Sequence, residues 1–223
     1  MKSVKPKFSD RKRLQRAIRP AQSSDEAGRQ AMKSAATRIQ IADAAIHCLV
    51  KYGYANTTTP RIAEEAGVSR GAMMHHFANR LNVMQAAIEH LHKKRLLAFQ
   101  RAAVSSPAGP NRIHDALMGY WNQVTNPLFL AFHELAVAAR TDPGLDQILK
   151  TARQAFYREW YRLAIDVFPE WQTNRKNFNL ALALTQNLLE GMAITQLAGD
   201  LEPSQLPGRA VACAVPVRSR RER

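Results

Sequence analysis

Apolar residues recur along this chain at three- and four-residue steps, and no stretch alternates apolar with polar as a half-buried strand would. The first sustained stripe is Ile41, Ala45, Cys48, Leu49 and Tyr52, which predicts a helix over Thr37–Tyr52 ended by Gly53. Thr57–Arg80 then reads as two short helices around a tight turn. Thr59 is the expected N-cap, Pro60 the first helical residue, and Ile62, Ala63 and Ala66 the inner face. Gly67 stops that helix, Val68 plugs the turn, and Ser69 caps a second helix ending near Phe77. A long helix follows from an Asn79 cap to about Val104, with Met84, Ala87, Ile88, Leu91, Ala98 and Phe99 as its buried stripe. Ser105–Pro110 breaks the pattern, and Asn111 caps the next helix, to about Thr125. Asn126-Pro127 and Asp142-Pro143 open two more, ending near Arg140 and Val167. Phe168-Pro169 separates these from a last helix over Thr173–Leu197. The fold class expected is therefore all-α, with about eight helices.

Helix, glycine turn, helix is the layout of a helix-turn-helix, whose second helix enters a DNA major groove. Its first turn is small at Ser69, Gly71 and Ala72, so the backbone can approach base edges. Arg70 can fork onto a guanine edge or hold a phosphate, while Ser69, His75 and His76 can donate to phosphates. Phe77 is expected to pack inward.

Residues 37–81 resemble the DNA-binding domain of the TetR/AcrR family of bacterial transcriptional regulators. The resemblance rests on Ala42, Asp43, Ala44 and Ala45, the Gly53-Tyr54 pair, the run Ile62-Ala63-x-x-Ala66-Gly67-Val68-Ser69, and His76-Phe77. It implies an N-terminal helix-turn-helix domain and a C-terminal helical domain that binds a ligand and dimerises. The DNA-contacting positions it and the chemistry imply are Thr37, Thr58, Thr59, Ser69, Arg70, Gly71, Ala72, Met73, His75, His76 and Arg80. Met74 stands where the family often has a phosphate-touching tyrosine. Arg80 keeps the positive charge that usually opens the following helix. The domains expected are a basic, disordered extension (1–36), the DNA-binding unit (37–83), the helical body (84–199) and a basic, disordered tail (200–223).

Charge modifies this picture only in part. The chain carries 32 Lys+Arg against 18 Asp+Glu, a formal +14, which favours a polyanionic partner. Residues 1–40 hold 11 basic and 3 acidic residues, and 209–223 hold 5 and 1, so the middle is nearly neutral. The excess lies in the ends, and a non-specific nucleic-acid binder driven by basic tails is the alternative reading. The run His92, Lys93, Lys94 and Arg95 reads as a solvated face.

The body is rich in aromatic residues. Met118, Trp121, Phe132, His133, Phe156 and Trp160 are the candidates for lining a cavity that takes an apolar small molecule. The last helix is apolar on more than one face, so it needs a partner besides its own core. Phe178, Leu182, Leu188, Leu189 and Met192 are the candidates for a twofold interface with a second copy. Cys48 and Cys213 give no disulfide framework. Leu180–Leu197, the most apolar stretch, holds too many polar groups to span a membrane, and a cytoplasmic protein is expected. His90 and His92, like His75 and His76, diverge around a helix, and no zinc-type pair, phosphate loop or nucleophile elbow occurs. Neither an enzyme, a metal site nor a cofactor is expected. The reading is a homodimeric repressor on a palindromic operator, released by a small molecule.

Overall fold

A computed structural model describes residues 21–105, 112–197 and 199. Among them are eight α-helices and one 3-10 turn, and no strand. These are α1 (Ala21–Asn56), α2 (Thr59–Glu65), α3 (Arg70–His76), α4 (Arg80–Ser105), α5 (Arg112–Val124), α6 (Pro127–Ala139), α7 (Pro143–Val167), the 3-10 turn Pro169–Asn174, and α8 (Arg175–Leu197).

The first helix starts much earlier than its apolar stripe. Residues 21–36, expected to be disordered, form its leading turns, while burial begins only at Ile41. Ala27, Ala31, Ala35 and Ala36 favour helix at little entropic cost, so no buried face is needed to propagate it. A consequence is that Thr37 is not near a helix N-terminus, as the stripe suggested. It sits mid-helix with its hydroxyl donating to the Lys33 carbonyl at 3.0 Å, so no helix-end dipole acts there. The expected cap at Asn111, the break at 106–110 and the tail with Cys213 lie outside the described residues.

Local caps hold elsewhere. Asn79 accepts from the Asn82 amide, Asn126 from Leu128 and Asp142 from Leu145, each at 2.9–3.0 Å. Helix α2 begins at Thr59 rather than being capped by it; Thr58 is its N-cap and makes no side-chain capping bond.

Helix α1 packs against α2, α4 and α6, and α4 continues into the body against α5 and α7. One contiguous apolar core therefore runs from Leu49, Ile62 and Met73 through Ile88 and Leu91 to Leu135, Leu145 and Trp160. Asp43 on α1 also bonds Lys94 and, at 3.0 Å, His90 on α4. Partial burial opposes its charge, but those two partners outweigh burial and hold its carboxyl below the usual carboxylate range. Helix α4 has 26 residues, so it spans about 39 Å at ~1.5 Å per residue and touches both halves of the molecule.

Candidate nucleic-acid interface

The turn between α2 and α3 is fixed by backbone geometry. Gly67 takes φ +64, the Gly67 amide bonds the Glu64 carbonyl, and the Val68 amide reaches back to Ala63, each at 3.0 Å. This pattern closes the C-terminus of α2 and lets half-buried Val68 pack under it. Ser69 then accepts from the Ala72 amide at 3.0 Å and starts α3 in a new direction.

Helix α3 divides cleanly. Met73 is fully buried, and Phe77 after it is nearly so. Ser69, Arg70, Gly71, Ala72, Met74 and His75 are exposed, and His76 is half-buried. Arg70 makes no hydrogen bond or ion pair within the described residues, so its guanidinium is free for an outside acceptor. A Cβ added to Gly71 would meet nothing closer than Ser69 Oγ at 3.9 Å. The protein's own packing does not require glycine there, although glycine costs about 1 kcal/mol in a helix relative to alanine. What glycine provides is room for a close approach from outside. Met73, by contrast, cannot contact DNA through its side chain. The sequence places it among the DNA-contacting positions, but its position one turn before Phe77 puts it in the core.

Neighbouring elements hold α3 from behind. Arg38 of α1 donates to the His76 carbonyl at 2.6 Å and lies 4.3 Å from the Phe77 ring centre. Ser34 Oγ is 3.5 Å from His76 Nδ1, and Gln40 donates to the Ala66 carbonyl at 2.7 Å. Arg80, expected on phosphate, is turned inward instead. It donates to the carbonyls of Tyr54 (2.6 Å) and Thr57 (2.9 Å) and stacks on the Tyr54 ring at 4.1 Å. Those carbonyls are freed where α1 kinks at Gly53, and a fork-shaped donor satisfies both. Thr58 is exposed beside this corner and Thr59 is half-buried.

The same corner joins the helix-turn-helix to the body. Gly53 takes φ 71, ψ 171. The Tyr54 amide donates to Glu134 of α6 at 3.2 Å, and the Tyr54 hydroxyl to Asp142, the α7 cap, at 2.7 Å.

The body residues singled out by sequence separate into groups. Phe132 and Phe156 flank His92 on α4, with centroids 5.7 and 4.8 Å away; Trp160 packs on Tyr120 and Phe99; His133 sits edge-on to Phe129 at 4.3 Å. Trp121 is buried and Met118 half-buried. Sequence reasoning placed His92 and Arg95 on a solvated face, yet both are buried. Their spacing gives the reason: 88, 92, 95 and 99 follow one another at four, three and four residues, on the side that Ile88 and Phe99 bury.

Helix α8 also has two distinct sides. Phe178 and Leu189 are buried in their own core, with Phe178 against Tyr161 and Trp171, and Leu182 and Met192 are half-buried against it. These four therefore do not form an exposed face, contrary to the grouping by apolarity alone. Leu180, Leu184, Leu188 and Ile194 do; Leu184 is 62% exposed.

Residues 41–87 match the family model described as bacterial regulatory proteins, tetR family. A helix-turn-helix-type transcriptional regulator of Mycobacterium tuberculosis, itself uncharacterised, is 26% identical over 179 residues, which cover 77% of this chain and 89% of that one. A Mesorhizobium loti protein assigned to the TetR family has a similar solved fold, with TM-score 0.66, 16% identity, and coverage of 81% of this chain and 94% of that one. The multidrug binding protein EbrR, solved with imidazole, gives TM-score 0.55 at 19% identity, covering 83% and 98%. The helix-turn-helix geometry and these matches agree: residues 41–87 form the DNA-binding unit of tetR-family bacterial regulatory proteins, and the chain as a whole has the fold of TetR-family transcriptional regulators.

Proposed function

We propose that this protein is a homodimeric repressor, with residues 37–83 reading a palindromic operator and residues 84–199 binding a small-molecule effector and the second copy. The observation that carries the reading is the outer face of α3. Arg70 is unpaired and exposed beside Gly71, Ala72 and His75, while Met73 and Phe77 anchor the opposite side. Arg70 contacts a base edge, Ser69, His75 and His76 contact phosphates, and Thr58 and Thr59 approach the backbone from the adjacent corner. Two copies of α3 then sit in successive major grooves, about 34–36 Å apart.

The exposed stripe of Leu180, Leu184, Leu188 and Ile194 supports dimerisation through α8. Its three leucines have the four-residue step of a helix-packing ridge, and a Cβ added at Gly191 on that face would meet nothing within 4 Å, leaving room for a close approach. An effector in the body weakens DNA binding if it favours an arrangement with a different spacing of the two α3 helices. The Tyr54 contacts to Glu134 and Asp142 offer the mechanical link.

Sedimentation and operator footprinting test the proposal together. A dimer that protects two symmetric half-sites is expected, and Leu184→Glu should yield a folded monomer with much weaker operator binding. A wild-type monomer, or uniform coating of any DNA, would overturn it and leave the non-specific binder.

A further inference from the structure

Inside the helical body, charge occupies a place where packing alone would put hydrocarbon. Arg95 of α4 is 8% exposed, and its guanidinium lies 4.6, 5.1 and 5.6 Å from the ring centres of Phe156, Phe132 and Phe129. Its ionic partner in the described residues is Glu190 of α8, at 3.7 Å, beyond hydrogen-bonding distance. Glu190 spends its oxygen elsewhere: it accepts from the Tyr120 hydroxyl at 2.7 Å and from Gln186 at 3.1 Å. Beside this pair, His92 is 5% exposed and its Nε2 has no hydrogen-bond partner among the described residues; the same holds for His133 Nε2. Buried nitrogens without partners are costly, and a core evolved only to pack would have little reason to keep two beside a buried guanidinium.

The local charge decides what fits. Arg153, itself exposed, lies 5.8 Å over Phe132 and 5.7 Å over Tyr157 and bonds the Tyr157 hydroxyl at 3.3 Å, so a second guanidinium flanks the same aromatic cluster. Arg153 also lines an open surface groove with Arg140, Lys150 and Asp146, the last paired with Lys150 at 2.6 Å, which leaves the groove net positive. The aromatic faces that would hold a cationic ligand are already taken by Arg95. Burial, then Arg95, lowers the pKa of His92, and burial outweighs Glu190 to lower that of His133; a neutral imidazole can offer a donor or an acceptor.

We propose that Arg95, His92 and His133, walled by Phe129, Phe132 and Phe156, bind a carboxylate ligand with a compact apolar body, whose carboxylate replaces Glu190 at Arg95. This rests on the effector reading above and names its chemistry. Arg95 belongs to the helix that continues from the DNA-binding unit, and Glu190 to the helix with the exposed dimerisation stripe. A ligand that separates them loosens the tie between the two.

Full-length protein is titrated with benzoate, phenylacetate and octanoate, and with the matching amides and amines, using tryptophan fluorescence and melting temperature. Carboxylates should bind at least about tenfold more tightly than the neutral or cationic partners, because only they take the guanidinium fork. Glu190→Gln should tighten carboxylate binding about tenfold by removing the competitor, the size of one charge-assisted contact. Arg95→Met should abolish it; if that variant does not fold, Glu190→Gln decides. Absence of carboxylate binding up to millimolar concentration, equal binding of amides or amines, or no gain in Glu190→Gln would overturn the assignment. Operator binding on the same samples separates the two claims. Carboxylates that bind without changing operator affinity leave the site standing and remove the effector reading. Amines that release the operator while carboxylates fail to bind do the reverse.

Discussion

Substituting Gly53 by alanine perturbs a residue where a left-handed backbone and a contact between the helix-turn-helix and the body coincide. Its φ 71, ψ 171 lies in a region that residues with a Cβ essentially never occupy, at a cost of about 1–3 kcal/mol. A Cβ there would also lie 3.1 Å from Glu134 Oε2, so the carboxylate must shift from its bond to the Tyr54 amide. Losing part of a charge-assisted hydrogen bond adds about 1 kcal/mol for this half-buried contact. Together Gly53→Ala should cost about 2–4 kcal/mol. For a chain of this size that lowers the melting temperature by about 5–15 °C, followed by circular dichroism. Glu134→Ala supplies the second half of a cycle, and Gly53→Ala should cost about 1 kcal/mol less in that background, because there is no carboxylate left to displace. A Gly53→Ala protein melting within about 2 °C of wild type would refute the reasoning. So would strict additivity, which would remove the Glu134 part of it.

Acid should destabilise the body through His92. Burial, and then Arg95, lowers its pKa from 6.5 to about 4, so the unfolded chain binds the proton more readily. Stability is then fully present above pH 6.5 and falls as pH drops toward 4, by about 3 kcal/mol; His92→Phe should flatten the melting curve against pH in that window. The loss from Asp43, whose pKa is depressed, comes separately and lower, below the ordinary carboxylate value of 3.8. The two methionines of α3 should behave oppositely in urea. Met73→Ala empties a fully buried site and should cost about 2–5 kcal/mol, whereas Met74→Ala on the exposed face should stay within about 0.5 kcal/mol.

What could be read from sequence was what is local. Gly67, Ser69, Asn79, Asn126 and Asp142 each act within a few residues of themselves, so the turn and four helix starts were visible without any tertiary knowledge. The leading turns of α1 escaped because helix propensity without burial leaves no apolar stripe. Arg80 and Arg38 escaped for another reason: their acceptors are carbonyls at Tyr54, Thr57 and His76, distant in sequence, and a basic residue near a helix-turn-helix looks the same whether it faces phosphate or a helix end. His92 and Arg95 carry a usable signal in their register with Ile88 and Phe99, but the polar residue types of the run 92–95 mask it. On α8, two opposed apolar faces were apparent. Which face is inner depended on where Tyr161 and Trp171 meet Phe178.

The central claim is that the outer face of α3 reads DNA, and Arg70→Ala tests it most directly. Arg70 has no partner within the described residues, so the variant should melt like wild type. Binding to a duplex obtained by selection from random sequence should weaken by about 1–3 kcal/mol per protomer, with preference relaxed at one base position of each half-site. Unchanged affinity together with unchanged base preference would contradict the account.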